Sequence, residues 1–206
     1  MDFREIEPGL HYWRAAHPAW HSDADWPEQV GCTCYETATT AVLIDPLVSE
    51  GDADETYGMF DLWVDRCGGA AVMLTAPWHQ RSAAAVADRY GVTAWAHESA
   101  RPRLSFQTQS GPLPDGIEVF VPGGSAAEGQ VAFYLRPVRA LVVAEFFLGV
   151  DGALQVLPSP EERDGSAFRK SLEGLLELPL DHVLVAHGEP VLAHGHDRIA
   201  EALRDG

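Results

Sequence analysis

The chain has no run of about 18 apolar residues, the length a membrane-crossing helix needs, although 46% of its 206 residues are hydrophobic. Its N-terminus, MDFREIEPGL, carries acids early and has no apolar core, so no secretory leader is expected and the reading places the protein in the cytoplasm. Lysine is nearly missing. Lys170 is the only one among 14 basic residues, which face 31 acids for a formal charge of −17. A surface of that sign repels phosphate, which argues against nucleic acid and anionic membranes as partners and is accounted for by solubility. Cysteine is scarce and odd in number, Cys32, Cys34 and Cys67. Without a leader, free thiols are expected rather than a disulfide framework. A single Cys-x-Cys in a strand places both side chains on one face, where they read as small buried apolar residues and not as a metal pair. G-x-S-x-G, P-loop and G-x-G-x-x-G signatures are also missing, so neither a serine nucleophile elbow nor nucleotide binding is supported.

What is there is organised around residues 70–91, AAVMLTAPWHQRSAAAVADRYG. A short apolar run predicts a strand buried on both faces. A polar elbow follows over 75–81, and then a helix with Val86, Ala87 and Tyr90 at helical spacing that stops at Gly91. Strand tips that feed a helix are where α/β proteins hold chemistry on rigid supports. Before this stretch, strands are expected at 10–14, 32–40 and 41–44, the last broken by the turn signal Asp45-Pro46, and a helix at 58–67 stopped by Gly68-Gly69. After it come strands at 92–96, 117–121, 131–135, 140–148 and 183–186, with a loop over 101–116. Ser159-Pro160-Glu161-Glu162 reads as the cap of a helix with Phe168, Leu172, Leu175 and Leu176 on one face, and a closing amphipathic helix spans 194–204. Two mixed halves of this kind predict two packed sheets with helices outside, as one domain over residues 1–206.

The segments VLIDP, VMLT-x6-SAAAVADRYG, VPGGSAAEGQVAFYL, ALVVAEFFLG and VLVAHGEPV, in this order, resemble the metallo-β-lactamase superfamily. The resemblance implies an α/β protein of αββα type: a sandwich of two mixed β-sheets with helices on the outer faces and metal ligands on loops at one rim. Its H-x-H-x-D-H loop falls on Ala76, Trp78, Gln80 and Arg81, and its next histidine falls on Gly124. The bridging acid is matched by Glu145 and the last histidine by His187; His79 lies one position off the pattern. Ala and Gly supply no ligand, and Arg81 brings a charge that repels a cation. The resemblance therefore implies a degenerate site without a cofactor and without a full metal set, His79, Glu145 and His187 being the residues a local shift of the loop would gather.

The candidate catalytic residues are accordingly His79, Arg81, Glu145 and His187. Arg81 is expected to pair with Glu145, either as a structural ion pair or as the seat of a small anionic ligand with His187 or His79 as base. Trp78 would wall the pocket. The function expected first is that of a non-catalytic small-molecule-binding or interaction module on a hydrolase-superfamily scaffold, a pseudoenzyme. The alternative is a metal-independent or atypical-metal hydrolase of a small ester, thioester or lactone, and whether the chain is an enzyme stays open at this point. So does the role of the Trp- and His-rich residues 1–30, which either fold over the pocket or join two subunits of a homo-oligomer.

Overall fold

The computed structural model describes residues 3–24, 26–123, 129–157 and 166–204. The Ser159 capping signature and Gly124 lie outside these. Four strands, β1 (Arg4–Glu7), β2 (Leu10–Ala16), β3 (Gln29–Glu36) and β4 (Ala41–Ile44), run antiparallel in turn. Three more, β5 (Ala70–Met73), β6 (Ala94–Trp95) and β7 (Thr108–Gln109), add in parallel to make a seven-stranded sheet ordered β1 to β7. Helices α1 (Ala53–Cys67) and α2 (Ala83–Tyr90) make the crossovers that parallel pairing requires. The second sheet has the order β13-β10-β9-β8, from β8 (Ile117–Phe120), β9 (Ala132–Leu135), β10 (Ala140–Val143) and β13 (His182–Leu184). A hairpin of β11 (Phe147–Val150) and β12 (Ala153–Val156) stands beside it, with α3 (Ser166–Ser171) and α4 (Gly195–Arg204) following β12 and β13.

The layers follow from alternation along each strand, because successive side chains point to opposite faces. In β4, Val42 and Ile44 face the other sheet, while Ala41 and Leu43 pack under α1 and α2 with Phe60, Trp63, Ala83 and Val86. In β9 and β10, Phe133, Leu135, Ala140 and Val142 fill the space between the sheets; Ala132, Tyr134, Leu141 and Val143 meet Phe168 and Leu172 of the α3 region and Ile199 of α4. The result is helix, sheet, sheet, helix, the architecture expected. Cys32 and Cys34 lie on the helix-facing side, both buried and unbonded.

The expected strand over 140–148 is two elements. β10 ends at Val143, the chain bends through Glu145, and β11 starts at Phe147 in a different sheet. An ionisable side chain inside an apolar run is costly to bury, and the bend carries it to the rim of the sheet. The loop expected over 101–116 contains the short edge strand β7, and β1 and β12 are further short strands that hydrophobic periodicity did not reveal. No helix among the described residues is long and apolar enough to cross a membrane.

Burial pushes the Cys32 thiol up to about 11 and the Cys34 thiol well above its ordinary range, and Cys67 alone is partly accessible. A thiol reagent at mildly alkaline pH should therefore label one cysteine in the native protein, slowly, because burial and Glu36 also raise Cys67, and three in denaturant. Cys67→Ser should abolish the native signal; rapid labelling of two or more sites would show that the helix-facing core is open.

Candidate active site

Parallel pairing brings strand tips together. β4 and β5 end in register at Ile44 and Met73, and β10 and β13 in register at Val142 and Leu184. Asp45 follows β4, Thr75, His79 and Arg81 follow β5, Glu145 follows β10 and His187 follows β13. The two rims are stitched by backbone. Gly31 N–H donates to Ala186 O at 2.8 Å, Val30 and His187 form an antiparallel bridge, and Gly149 N–H donates to His187 O at 3.0 Å. At the last contact the two main chains nearly touch. A Cβ on Gly149 would lie 1.9 Å from Glu189 O, and one on Gly188, whose φ is +85°, 1.9 Å from Gly149 O. Only glycine permits that approach.

Asp45 anchors the site. Its carboxylate is buried and accepts from Thr75 N–H at 2.9 Å, from the Thr75 hydroxyl, and from His79 Nδ1–H at 2.9 Å. Burial alone would raise this carboxyl, but His79, Arg81 and Thr75 more than offset it and hold it below its ordinary range. The converse holds for His79, which burial would lower and Asp45 raises. With Nδ1–H committed to Asp45, neutral His79 carries its lone pair on Nε2. That nitrogen is buried and has no hydrogen-bond partner. It faces Glu145 Oε1 at 3.7 Å, and His187 Nε2 faces the same oxygen at 3.4 Å. Burial pushes the Glu145 carboxyl up, yet the two imidazoles beside it prevail and hold it far below the usual carboxylate range.

The structure thus gathers three of the four expected catalytic residues, His79, Glu145 and His187. It places the fourth apart from Glu145. Arg81 Nη1 donates to Gly31 O at 2.6 Å and Asp45 O at 2.9 Å and touches Cys32 Sγ at 3.5 Å; among the described residues it forms no ion pair with Glu145. Arg81 sits in the left-handed region at φ 39°, which turns its side chain down onto the ends of β3 and β4. Its charge stays close to the site while its donors hold main-chain carbonyls. Ala76 is buried, and Gln80 Oε1 accepts from the Ser105 N–H and hydroxyl. Trp78, an exposed residue, sets its ring 6.4 Å from that of His79 and under the Arg103 guanidinium. On the other side Trp26 stands 6.0 Å from the His187 ring, so residues from the N-terminal region do reach the site.

The donor atoms of His79, Glu145 and His187 lie within 4.8 Å of one another, the one such group among the described residues. Ligands about 2.0–2.2 Å from a tetrahedral ion are about 3.3–3.6 Å apart. The 3.4 Å separation falls in that range and the 3.7 Å one just beyond it, and both are long for hydrogen bonds. A carboxylate on the far ring nitrogen of a histidine is the support that orients such a ligand. The donor set and its spacing are compatible with a single divalent ion, and these are the three residues a shift of the loop was expected to gather. Reading the sequence did not single out Asp45, Thr75, His17 or Trp26 as site residues. An acid at the end of the wholly apolar run AVLI was the available signal for Asp45; for His17 and Trp26 it was the Trp- and His-rich composition of residues 1–30, and for Thr75 there was none.

The chain matches no family model and no curated protein. Solved structures resemble it along nearly its whole length. A metallo-β-lactamase from Erythrobacter litoralis has a TM-score of 0.68 at 13% identity, covering 98% of this chain and 89% of its own. DIM-1 metallo-β-lactamase has 0.67 at 15%, covering 98% and 97%. A metallo-β-lactamase family protein from Thermus thermophilus has 0.63 at 18%, covering 96% and 79%.

Removing the anchors should be costly in proportion to what each leaves unpaired. Asp45→Ala leaves the Thr75 N–H without its acceptor and the buried His79 Nδ1 with only the Thr75 hydroxyl, 3.0 Å away, and should lower unfolding free energy by about 2–4 kcal/mol. Arg81→Ala should cost about 1–3 kcal/mol by freeing two carbonyls. Denaturant titration measures both; a loss below about 0.5 kcal/mol for Asp45→Ala would show that the network does not hold the rim together.

Proposed function

The chain has the metallo-β-lactamase fold, and we propose that it is a hydrolase working with one divalent metal ion held by His79, Glu145 and His187. The observation that carries this reading is the buried, unpartnered His79 Nε2, with its tautomer set by Asp45 and its lone pair aimed at the two other donors. A bound ion supplies positive charge that polarises a carbonyl and acidifies a water molecule. Three protein ligands leave a position open for these, as catalytic sites require. The chain's own residues do the rest. Asp45 and Thr75 fix His79, and the backbone stitch at Gly188 fixes His187. Arg81 adds a cation where a second metal would need a ligand, which argues for one ion only. Trp26 and Trp78 form two aromatic walls that shed water and suit a small, neutral, largely apolar substrate such as an ester, thioester or lactone.

One observation favours a second reading, a non-catalytic pocket that binds small molecules: with both rings protonated, His79 and His187 offer the Glu145 carboxylate the positive charge that holds it far below the usual range, an arrangement that needs no metal. Elemental analysis of protein purified without chelator or affinity tag separates the two. The hydrolase reading expects close to one zinc, manganese or iron per chain, loss of that metal in His187→Ala, and turnover of p-nitrophenyl acetate, a thioester or a γ-lactone that chelator abolishes. Equal, substoichiometric metal in wild type and His187→Ala would support the binding module.

A further inference from the structure

His17 is the first residue after β2, and its backbone N–H donates to Glu28 O at 2.9 Å across the connection to β3. Its ring is oriented by its own loop, because Ala19 N–H donates to His17 Nδ1 at 3.2 Å. A neutral imidazole whose Nδ1 lone pair accepts a hydrogen bond carries its proton on Nε2. The ring stands edge-on to Trp26, centroids 5.1 Å apart at 89°, and Trp26 in turn packs 6.0 Å from the His187 ring. Histidine, tryptophan and histidine therefore form a continuous wall from the β2–β3 connection to the three-donor cluster. The hydrogen bond from Ala19 is the only one His17 makes through its ring among the described residues, and Nε2–H is left for something else.

We propose that His17 is a further catalytic residue, a neutral imidazole that donates Nε2–H to the carbonyl oxygen of a substrate held at His79, Glu145 and His187. The inference rests on the hydrolase reading above. Water adds to the carbonyl carbon and the bond to the leaving oxygen or sulfur breaks. The products are a carboxylate, a released proton and the alcohol or thiol. No bond to His17 forms or breaks. Its N–H stays in place while the carbonyl oxygen becomes negative, and the hydrogen bond strengthens as that charge develops. A base at this position would need a free lone pair, which Ala19 has taken. Burial first, and then the charges of Arg81, His79 and His187, lower the proton affinity of this ring, which keeps it the neutral donor the role needs.

Three measurements on the full chain decide it. Imidazole 15N spectra should show His17 as the Nε2–H tautomer; an Nδ1–H tautomer or a charged ring near neutral pH overturns the proposal. Cobalt(II) titration should give the same stoichiometry and the same visible spectrum in wild type and His17→Ala, and an altered spectrum would make His17 a ligand and overturn its donor role. Acetohydroxamate should bind the cobalt protein about tenfold more weakly in His17→Ala, with partial recovery in His17→Gln, whose amide also donates. Unchanged acetohydroxamate affinity overturns this inference alone. Failure of wild type to bind cobalt overturns the hydrolase reading, and this one with it.

Discussion

A carboxylate taken out of water must be met by donors or it unfolds its surroundings, and Asp45 is the carboxylate around which this protein closes. Its two oxygens accept from Thr75 and His79 on the neighbouring strand tip, and its main-chain carbonyl accepts from Arg81. These bonds fix the turn after β4 at φ 48°, an unusual backbone for aspartate. They also fix the elbow before α2, and through it the direction of the His79 ring. The direction of that ring matters because its second nitrogen, Nε2, is buried and left without a hydrogen-bond partner.

The opposite half of the site is held by main chain rather than by side chains. β3 reaches across from the first sheet to pair with the segment after β13, and the hairpin β11–β12 grips it from the other side through Gly149 and Gly188. His187 is thereby placed by three backbone contacts, and Glu145 by the bend between β10 and β11. The site is the point where two rigid frames meet, which is the place a fold of packed sheets offers for holding side chains at ligand spacing.

Arg81 stands where the resemblance would place a ligand, and here it makes main-chain contacts. A guanidinium cannot ligate a cation, and facing Glu145 it would have quenched that carboxylate. Turned toward Gly31 and Asp45 it instead caps strand ends that would otherwise leave carbonyls unpaired. Among the described residues the Glu145 carboxylate is consequently faced by the two imidazoles of His79 and His187.

Much of this was legible in the amino-acid order. Short apolar runs marked β4, β5 and β9, and α2 was marked by its spacing and by Gly91, which adopts φ 64° at the helix end. The resemblance carried by those runs was enough to assign the αββα layering and to single out His79, Glu145 and His187. Such signals are local: periodicity records which face of an element is buried, and a charge inside an apolar run records an exposed or paired position. The partner of each polar group was decided by tertiary structure alone. Asp45 and His79 are 34 positions apart and Arg81 and Gly31 are 50 apart, distances over which no pattern in the chain specifies contact. The same is true of His17 and Trp26 against His187. The sequence by itself determined the layers and the rim on which His79, Glu145 and His187 stand. Only the packing of the two sheets decided which of them face one another, because a hydrogen bond is chosen by the geometry of approach and hydrophobic burial is not.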